Sequence, residues 1–349
     1  MSVISPFATA FLAICLLGWA APAREDEGLD IYFVDVMGGA ATLIITPERE
    51  SILIDSGWPG FDDRDPKRIA FVLKEVAGLD HLDHMVTTHW HTDHYGGIEG
   101  LAKRLEIKHY WDRGLPEDNL SGVPFPEGPK PDHPLGAAYR KASQGKRKAL
   151  LAGDALPLKG QAKAVVLVSG RQVVDANSAA NAECATAPAD LQPDPSDNAC
   201  SLGILVTLGN FQFLDLGDLT WNIERQLVCP IDRIGKVDVY QVTHHGMDIS
   251  NNPALVRTVA PTVAIMNNGP RKGGAAATVK LLRSLPSLEA LYAVHKNQAT
   301  TPEDNADPKL TANSDEIGGQ FIHVHVDPDG TRFSVRIGVD GEARTFTTR

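Results

Sequence analysis

Within the six positions from His89 to His94 the chain sets three imidazoles and a carboxylate, His89-Trp90-His91-Thr92-Asp93-His94. They follow the apolar run Met85-Val86-Thr87, which reads as a strand. Side chains two apart share a face there, so His89 and His91 can reach one metal ion together. Asp93 and His94 then fall on the turn beyond the strand and can serve a second ion. Imidazole suits zinc, iron and similar ions, while a carboxylate is a hard ligand that can also orient a bound water. The chemistry such a set supports is metal-assisted hydrolysis. Two divalent ions held close together lower the pKa of a water bridging them and supply hydroxide at neutral pH.

The elements needed to position these groups are legible around them. Gly96-Gly97 follow the motif and Ile98 to Leu105 reads as a helix, giving strand–turn–helix. Other strands end in acid or histidine: Ser51-Ile52-Leu53-Ile54-Asp55-Ser56-Gly57, then Phe211-Gln212-Phe213-Leu214-Asp215-Leu216-Gly217-Asp218, then Val237-Asp238-Val239-Tyr240-Gln241-Val242-Thr243-His244-His245-Gly246. Pro66 to Val76 and Pro253 to Val259 read as helices, and Val165 to Val168, Gly203 to Thr207 and Thr262 to Met266 as buried strands. Phe321 to Val326 alternates before the turn Asp327-Pro328-Asp329-Gly330, a hairpin signal. Two packed mixed sheets with helices on both outer faces would bury these runs.

Four ordered motifs of this kind resemble the metallo-β-lactamase superfamily of metal-dependent hydrolases. The resemblance implies an αββα sandwich with the metals at one sheet edge, a core over about residues 29–270 and a C-terminal extension over 271–349. It implies a mature chain of one domain, 24–349. It further implies metal ligands at His89, His91, Asp93, His94, Asp218 and His245, with Asp218 bridging two ions and Asp93 also orienting the nucleophile. Of the doublet, His245 adjoins Gly246 and is taken as the ligand, and His244 as a partner of a ligand or the acid for the leaving group. The reverse order stays open. Asp55 is expected to hold a ligand histidine, against the plainer reading of a turn-forming Asp-Ser-Gly. The metals are expected to be Zn2+, with Mn2+ or iron as alternatives.

Within the superfamily the doublet His244-His245-Gly246 is most similar to competence-type DNA-uptake proteins, with secreted phosphorylcholine esterases nearby. Asn198 and Ser201 match an Asn-x-x-Ser-Leu pattern of that branch. Two departures stand out. The opening turn Met37-Gly38-Gly39-Ala40 carries Ala40 where relatives have an acid. The stretch from Ser196 to Val206 contains no histidine where most two-metal members supply a third one. The first metal would therefore be held by His89, His91, Asp218 and solvent, more weakly than the second. This gap also argues against a true β-lactamase.

Composition points outside the cytoplasm. Met1 to Ala23 has no charged side chain, Phe7 to Ala20 is apolar, and Ala21-Pro22-Ala23 precedes a polar stretch. That is a signal-peptide pattern with cleavage after Ala23, too short for a comfortable membrane span. Of the remaining cysteines, Cys184 and Cys200 flank a Pro- and Asp-rich loop and either bridge or stay free. The formal charge of −11 disfavours diffuse binding to nucleic acid. The basic run from Arg140 to Lys148 is read as a solvated helix face, or alternatively as a phosphate clamp. His323 and His325 share a strand face without further ligands nearby in sequence, and His295 is the outside candidate for touching substrate. Trp58, Trp90, Tyr95 and Trp221 adjoin motif residues as candidate cleft walls. The expected function is hydrolysis of a phosphoester, most plausibly a phosphodiester. The alternatives are a carboxylic ester, lactone or amide, or a non-catalytic metal-ordered binding module linked to DNA uptake.

Overall fold

Alternate side chains of the opening strand enter different apolar layers, and this sets the architecture. Ile31 and Phe33 join a core shared with the second half of the chain, while Tyr32 and Val34 join another beneath helices. The computed structural model describes residues 27–175, 180–186, 192–315 and 317–349. The segment read as a signal peptide lies outside them. Among the described residues, no helix is long and apolar enough to cross a membrane.

In chain order the first strands are β1 (Leu29–Phe33), β2 (Thr42–Ile45), β3 (Ser51–Ile54), β4 (His81–Thr87), β5 (Glu106–Asp112) and β6 (Arg147–Ala149). There follow β7 (Lys163–Ser169), β8 (Gln172–Val173), β9 (Gly203–Leu208), β10 (Phe211–Asp215), β11 (Val239–Gln241) and β12 (Val263–Met266). The last are β13 (Ala290–His295), β14 (Thr311–Asn313), β15 (Ile322–Val326), β16 (Arg332–Ile337) and β17 (Arg344–Thr347). One sheet runs β17-β16-β15-β1-β2-β3-β4-β5-β6 and the other β14-β13-β12-β11-β10-β9-β7-β8. Their inner faces meet in a core built from Ile44, Ile52 and Val86 on one side and Val206, Phe213 and Val263 on the other.

The outer face of the first sheet is covered by α1 (Arg64–Phe71), α3 (Ile98–Ala102) and α4 (Pro134–Ser143), with α2 (Thr92–Tyr95) in the motif itself. The second sheet is covered by α5 (Trp221–Val228), α6 (Pro253–Val259) and α7 (Ala276–Arg283). The result is the four-layer αββα sandwich. The C-terminal region is part of it: β15 pairs antiparallel with β1, and β13 pairs parallel with β12. Residues beyond 270 therefore add strands to both sheets. Without β15 and β13, β1 and β12 would become open apolar sheet edges.

β3 to β6 run parallel in one sheet, and β10 to β14 in the other. Loops leaving the ends of β3, β4, β10, β11 and β12 carry Asp55, His89 to His94, Asp218, His244-His245 and Asn267 to Lys272 respectively. Ligand sites outside the carboxyl ends of parallel strands are the general outcome of such sheets.

Candidate metal centre

The backbone that presents the motif is unusually constrained. His91 is extended at the head of α2, so Asp93 and His94 ride on one helical turn. Gly217, at φ 55°, makes the turn before Asp218, and a Cβ there would meet Thr88 Cβ at 3.0 Å. Asp218 N donates to Ser201 Oγ at 3.2 Å. After β11, His244 (φ 55°) and His245 (φ 54°) are both left-handed and precede Gly246 (φ 81°). Such conformations cost roughly 1–3 kcal/mol each in non-glycine residues and persist where surroundings over-determine them.

These turns bring Asp93, His94, Asp218 and His245 together, each buried and each offering one ligand atom within 4.8 Å of the others. His94 Nε2 lies 3.2 Å from Asp218 Oδ2 and 3.3 Å from Asp93 Oδ2. His245 Nε2 lies 3.4 Å from both carboxylates. His89 Nε2 is 4.0 Å and His244 Nε2 3.4 Å from Asp218 Oδ2. The His91 ring sits 4.7 Å from that of His89, but its Nε2 is turned onto Glu127 Oε2 in a close ion pair. His89 and His91 therefore stand beside the tight four-residue group rather than in it.

The donor set fits a divalent metal on evidence internal to the site. The Nε2 atoms of His89, His94 and His245 are buried without a hydrogen-bond partner. Unmet, each would cost about 1–3 kcal/mol. The opposite nitrogens are all engaged. His94 Nδ1 donates to Asp55 Oδ2 at 2.7 Å and His245 Nδ1 to the Asn267 carbonyl at 3.2 Å. Thr88 gives its hydroxyl proton to Asp55 Oδ2 at 2.7 Å, so Thr88 Oγ1 accepts from His89 Nδ1 at 3.0 Å. In the neutral rings the three Nε2 lone pairs thus face carboxylate oxygens, a repulsion that a proton or a bound cation relieves. Metal-ligating histidines characteristically give their other N–H to such partners.

The field in the site has the same demand. Burial pushes the His89 imidazole well below its ordinary pKa, with neighbouring His94 adding to the effect. Burial also drives His244 down to about 4 against the pull of Asp218. Burial opposes ionisation of Asp93 and Asp218, yet the surrounding imidazoles hold both well below the carboxylate range. For His94, Asp218, Asp93 and Asp55 overcome burial and raise its pKa well above normal. Carboxylates that raise His94 and His245 against their burial, beside His89 and His244 imidazoles that burial keeps neutral, form a field that a bound cation satisfies.

Comparison with known proteins agrees. Residues 34–131 match the metallo-beta-lactamase superfamily model. The chain carries a metallo-beta-lactamase superfamily domain. It is 25% identical over 264 residues to ComE operon protein 3 of Bacillus subtilis (strain 168), covering 71% of this chain and 29% of that one. The chain thus spans less than a third of that relative's length. Similar solved structures include CmlA, a diiron beta-hydroxylase from Streptomyces venezuelae, at 17% identity and TM-score 0.39, covering 70% of this chain and 45% of that one. The metallo-beta-lactamase fold protein YhfI from Bacillus subtilis has 10% identity and TM-score 0.42, covering 76% of this chain and 95% of that one.

Other expectations for the metallo-beta-lactamase domain fare unevenly. Asp55 is left-handed and buried, bonded to His94 and to Thr88 N (2.9 Å), so it is more than a turn former. Ala40, where relatives carry an acid, holds the motif through its backbone, its N–H donating to Asp93 O at 3.1 Å. The basic run is divided: Lys141, Lys146 and Lys148 are exposed, while its two arginines are engaged in ion pairs. Arg147 is inserted between Asp112 and Asp118, Arg140 pairs with Glu117, and Lys146 bonds the Ile107 carbonyl. His295 is buried, its Nε2 2.7 Å from Asp35 Oδ1, and is a structural tie between the sheets. His323 and His325 do find a third group, Asp30 Oδ1, at the hydrogen-bond distances of 2.7 and 2.8 Å. Trp90, Tyr95 and Tyr139 stack edge-to-face in the core, leaving Trp58 by the site. Cys184 is bridged to Cys229 rather than to Cys200, which is buried and reduced.

Sequence reasoning missed three groups. Lys272 Nζ makes a close ion pair with Asp93 Oδ2 and lies 5.4 Å over the Trp58 ring. Its signal was the glycine-framed loop Gly269-Pro270-Arg271-Lys272-Gly273-Gly274, in which a Cβ at Gly273 would strike His245 O at 2.1 Å. Glu127 orients His91 from a Pro-rich loop. Asp197 accepts from Trp90 N at 2.7 Å and pairs with the fully buried Arg113.

Proposed function

We propose that this chain is a metal-dependent phosphoester hydrolase that acts on a small phosphodiester outside the cytoplasm. The observation that carries it is the buried Asp93-His94-Asp218-His245 group, with bare imidazole nitrogens facing carboxylates. Asp93, His94, Asp218 and His245 would hold one ion, and His89, His91 and Asp218 a second. When bound, divalent ions such as Zn2+ or Mn2+ supply Lewis acidity and acidify water.

The chain's own residues supply the rest. Asp218, ringed by imidazoles, fixes the two sides of the site relative to each other. Asp93 accepts a hydrogen bond from the attacking water and orients it. Asp55 and Thr88 lock His94 and His89 with their Nε2 atoms inward, and Glu127 engages His91 Nε2. Lys272 is a partly exposed cation at the edge of the group, suited to a non-bridging oxygen of an anionic substrate.

Two features bear on the substrate. The doublet His244-His245-Gly246, read as similar to a phosphoester-cleaving branch, favours phosphodiester chemistry. The formal charge of −11, and the engagement of Arg140 and Arg147 in internal ion pairs, favour a small substrate over long nucleic acid. The Cys184–Cys229 bridge supports an oxidising compartment, and with it secretion. Chromogenic phosphodiesters, phosphomonoesters, lactones and a cephalosporin offered to metal-loaded protein test the reading. Phosphodiester turnover is expected, and turnover of lactones or amides alone would overturn it.

A further inference from the structure

We infer that His244, as well as His245, is a metal ligand, and that it takes the place of the third histidine the chain lacks beside His89 and His91. The inference rests on the two-ion reading above. It comes from the hydrogen bonds around one hydroxyl. Ser250 has a single hydroxyl proton, and it goes to the Leu219 carbonyl at 2.6 Å. Towards His244 Nδ1, 3.0 Å away, Ser250 Oγ can then only accept. His244 Nδ1 therefore carries the ring proton and Nε2 is a bare lone pair.

That lone pair points at Asp218 Oδ2, 3.4 Å distant, with both groups buried. Two acceptors face each other there. The donor in reach is Asn198 Nδ2 at 3.4 Å, longer than a good hydrogen bond, while Asn198 Oδ1 is buried with no partner. His244 thus resembles His89, His94 and His245 in its outer nitrogen donating to protein, and its inner nitrogen, 3.4 Å from Asp218 Oδ2, is met by the long contact from Asn198 Nδ2 alone.

The contacts sort the four rings into two pairs. His94 and His245 approach Asp93 Oδ2 at 3.3 and 3.4 Å as well as Asp218. His89 and His244 approach Asp218, and the His89 ring meets that of His91 edge-on. The consecutive left-handed residues turn both imidazoles of the doublet onto one carboxylate, each Nε2 3.4 Å from Asp218 Oδ2. His244 reaches its side facing Asn198, in the segment where the missing histidine would have stood. One side of the site then has His89, His91, His244 and Asp218, the other Asp93, His94, His245 and Asp218. His244 is consequently engaged as a ligand rather than free as a proton donor to the leaving group.

The test uses the full chain, stripped with chelator and titrated with Co2+, reading ions per chain by elemental analysis and the visible ligand-field absorption. Wild type should take up two Co2+. His244→Ala should lose one equivalent, or bind it at least about tenfold more weakly, while keeping the other ion's spectrum. His244→Gln serves as a second variant, and the apo melting temperature of each confirms that it folds. Ser250→Ala should keep two ions and bind one of them roughly 10–100-fold more weakly. A folded His244 variant that binds both ions with wild-type affinity and spectrum overturns the inference and leaves the two-ion reading intact. Fewer than two ions on wild type removes the two-ion reading and the inference with it.

Discussion

Replacing Asp55 by Asn tests whether the site is built for a metal or only for packing. Asp55 serves three donors: His94 Nδ1 and Thr88 Oγ1 on Oδ2, each at 2.7 Å, and Thr88 N on Oδ1 at 2.9 Å. An amide keeps one oxygen. With that oxygen towards His94, the new NH2 faces Thr88 N–H and one buried bond is lost, at about 1–3 kcal/mol. With the amide reversed, His94 must move its proton to Nε2, and the Thr88 hydroxyl that sets His89 loses its acceptor too. The first orientation is cheaper and should predominate. Even so, a charge-assisted bond roughly twice as strong as a neutral one has gone from His94. Loss of such an outer partner lowers metal affinity by roughly 10–100-fold, about 1.4–2.7 kcal/mol. Competition of Asp55→Asn with a chromophoric chelator, beside melting of the metal-free protein, measures both effects. A lowered apo melting temperature with metal affinity within about threefold of wild type would show that Asp55 is structural only.

Three further outcomes are expected. Lys272→Met should raise KM for a chromogenic phosphodiester by roughly 10–100-fold, the value of one charge-assisted hydrogen bond, and an unchanged KM would remove Lys272 from substrate binding. Asp93→Asn should keep the fold and lower turnover by about a hundredfold or more, because the nucleophile loses its orientation; full activity on any substrate would refute the assigned mechanism. Away from the site, burial raises the Asp30 pKa, but hydrogen bonds from His323 and His325 outweigh it and hold the carboxyl well below its usual range. Its stabilising contribution is then complete above about pH 4 and is lost as the pH falls further. The melting temperature of Asp30→Asn should therefore fall less than wild type's from about pH 5 to about pH 2, and parallel curves would contradict this.

Much of the sandwich was legible because local patterns carried it. The run ending at Thr87 sits in β4, and Pro253–Val259 is a helix with the predicted bounds, headed by Asn252 as an N-cap accepting from Ala254 N. The motifs that meet at the candidate site were legible for the same reason, since each lies where a strand ends. What escaped was set by contacts between distant segments. β15 beside β1 joins residues about three hundred positions apart, and no local pattern near residue 325 names that partner. The bridge of Cys184 to Cys229 was invisible because the nearer Cys200 points into the core. Lys272 reaches Asp93 across 179 positions. The basic run looked like one surface feature, yet it crosses from α4 into β6, and Arg147 turns inward to two aspartates.

Hydrolysis of a small chromogenic phosphodiester, followed on one preparation through chelation and metal return, tests the central claim most directly. Turnover should vanish with the chelator, come back with Mn2+ or Zn2+, and be absent from metal-treated Asp218→Ala, which lacks the carboxylate the imidazoles share. A wild-type protein carrying two ions that leaves the phosphodiester intact, or an Asp218→Ala variant that cleaves it as fast as wild type, would contradict the account.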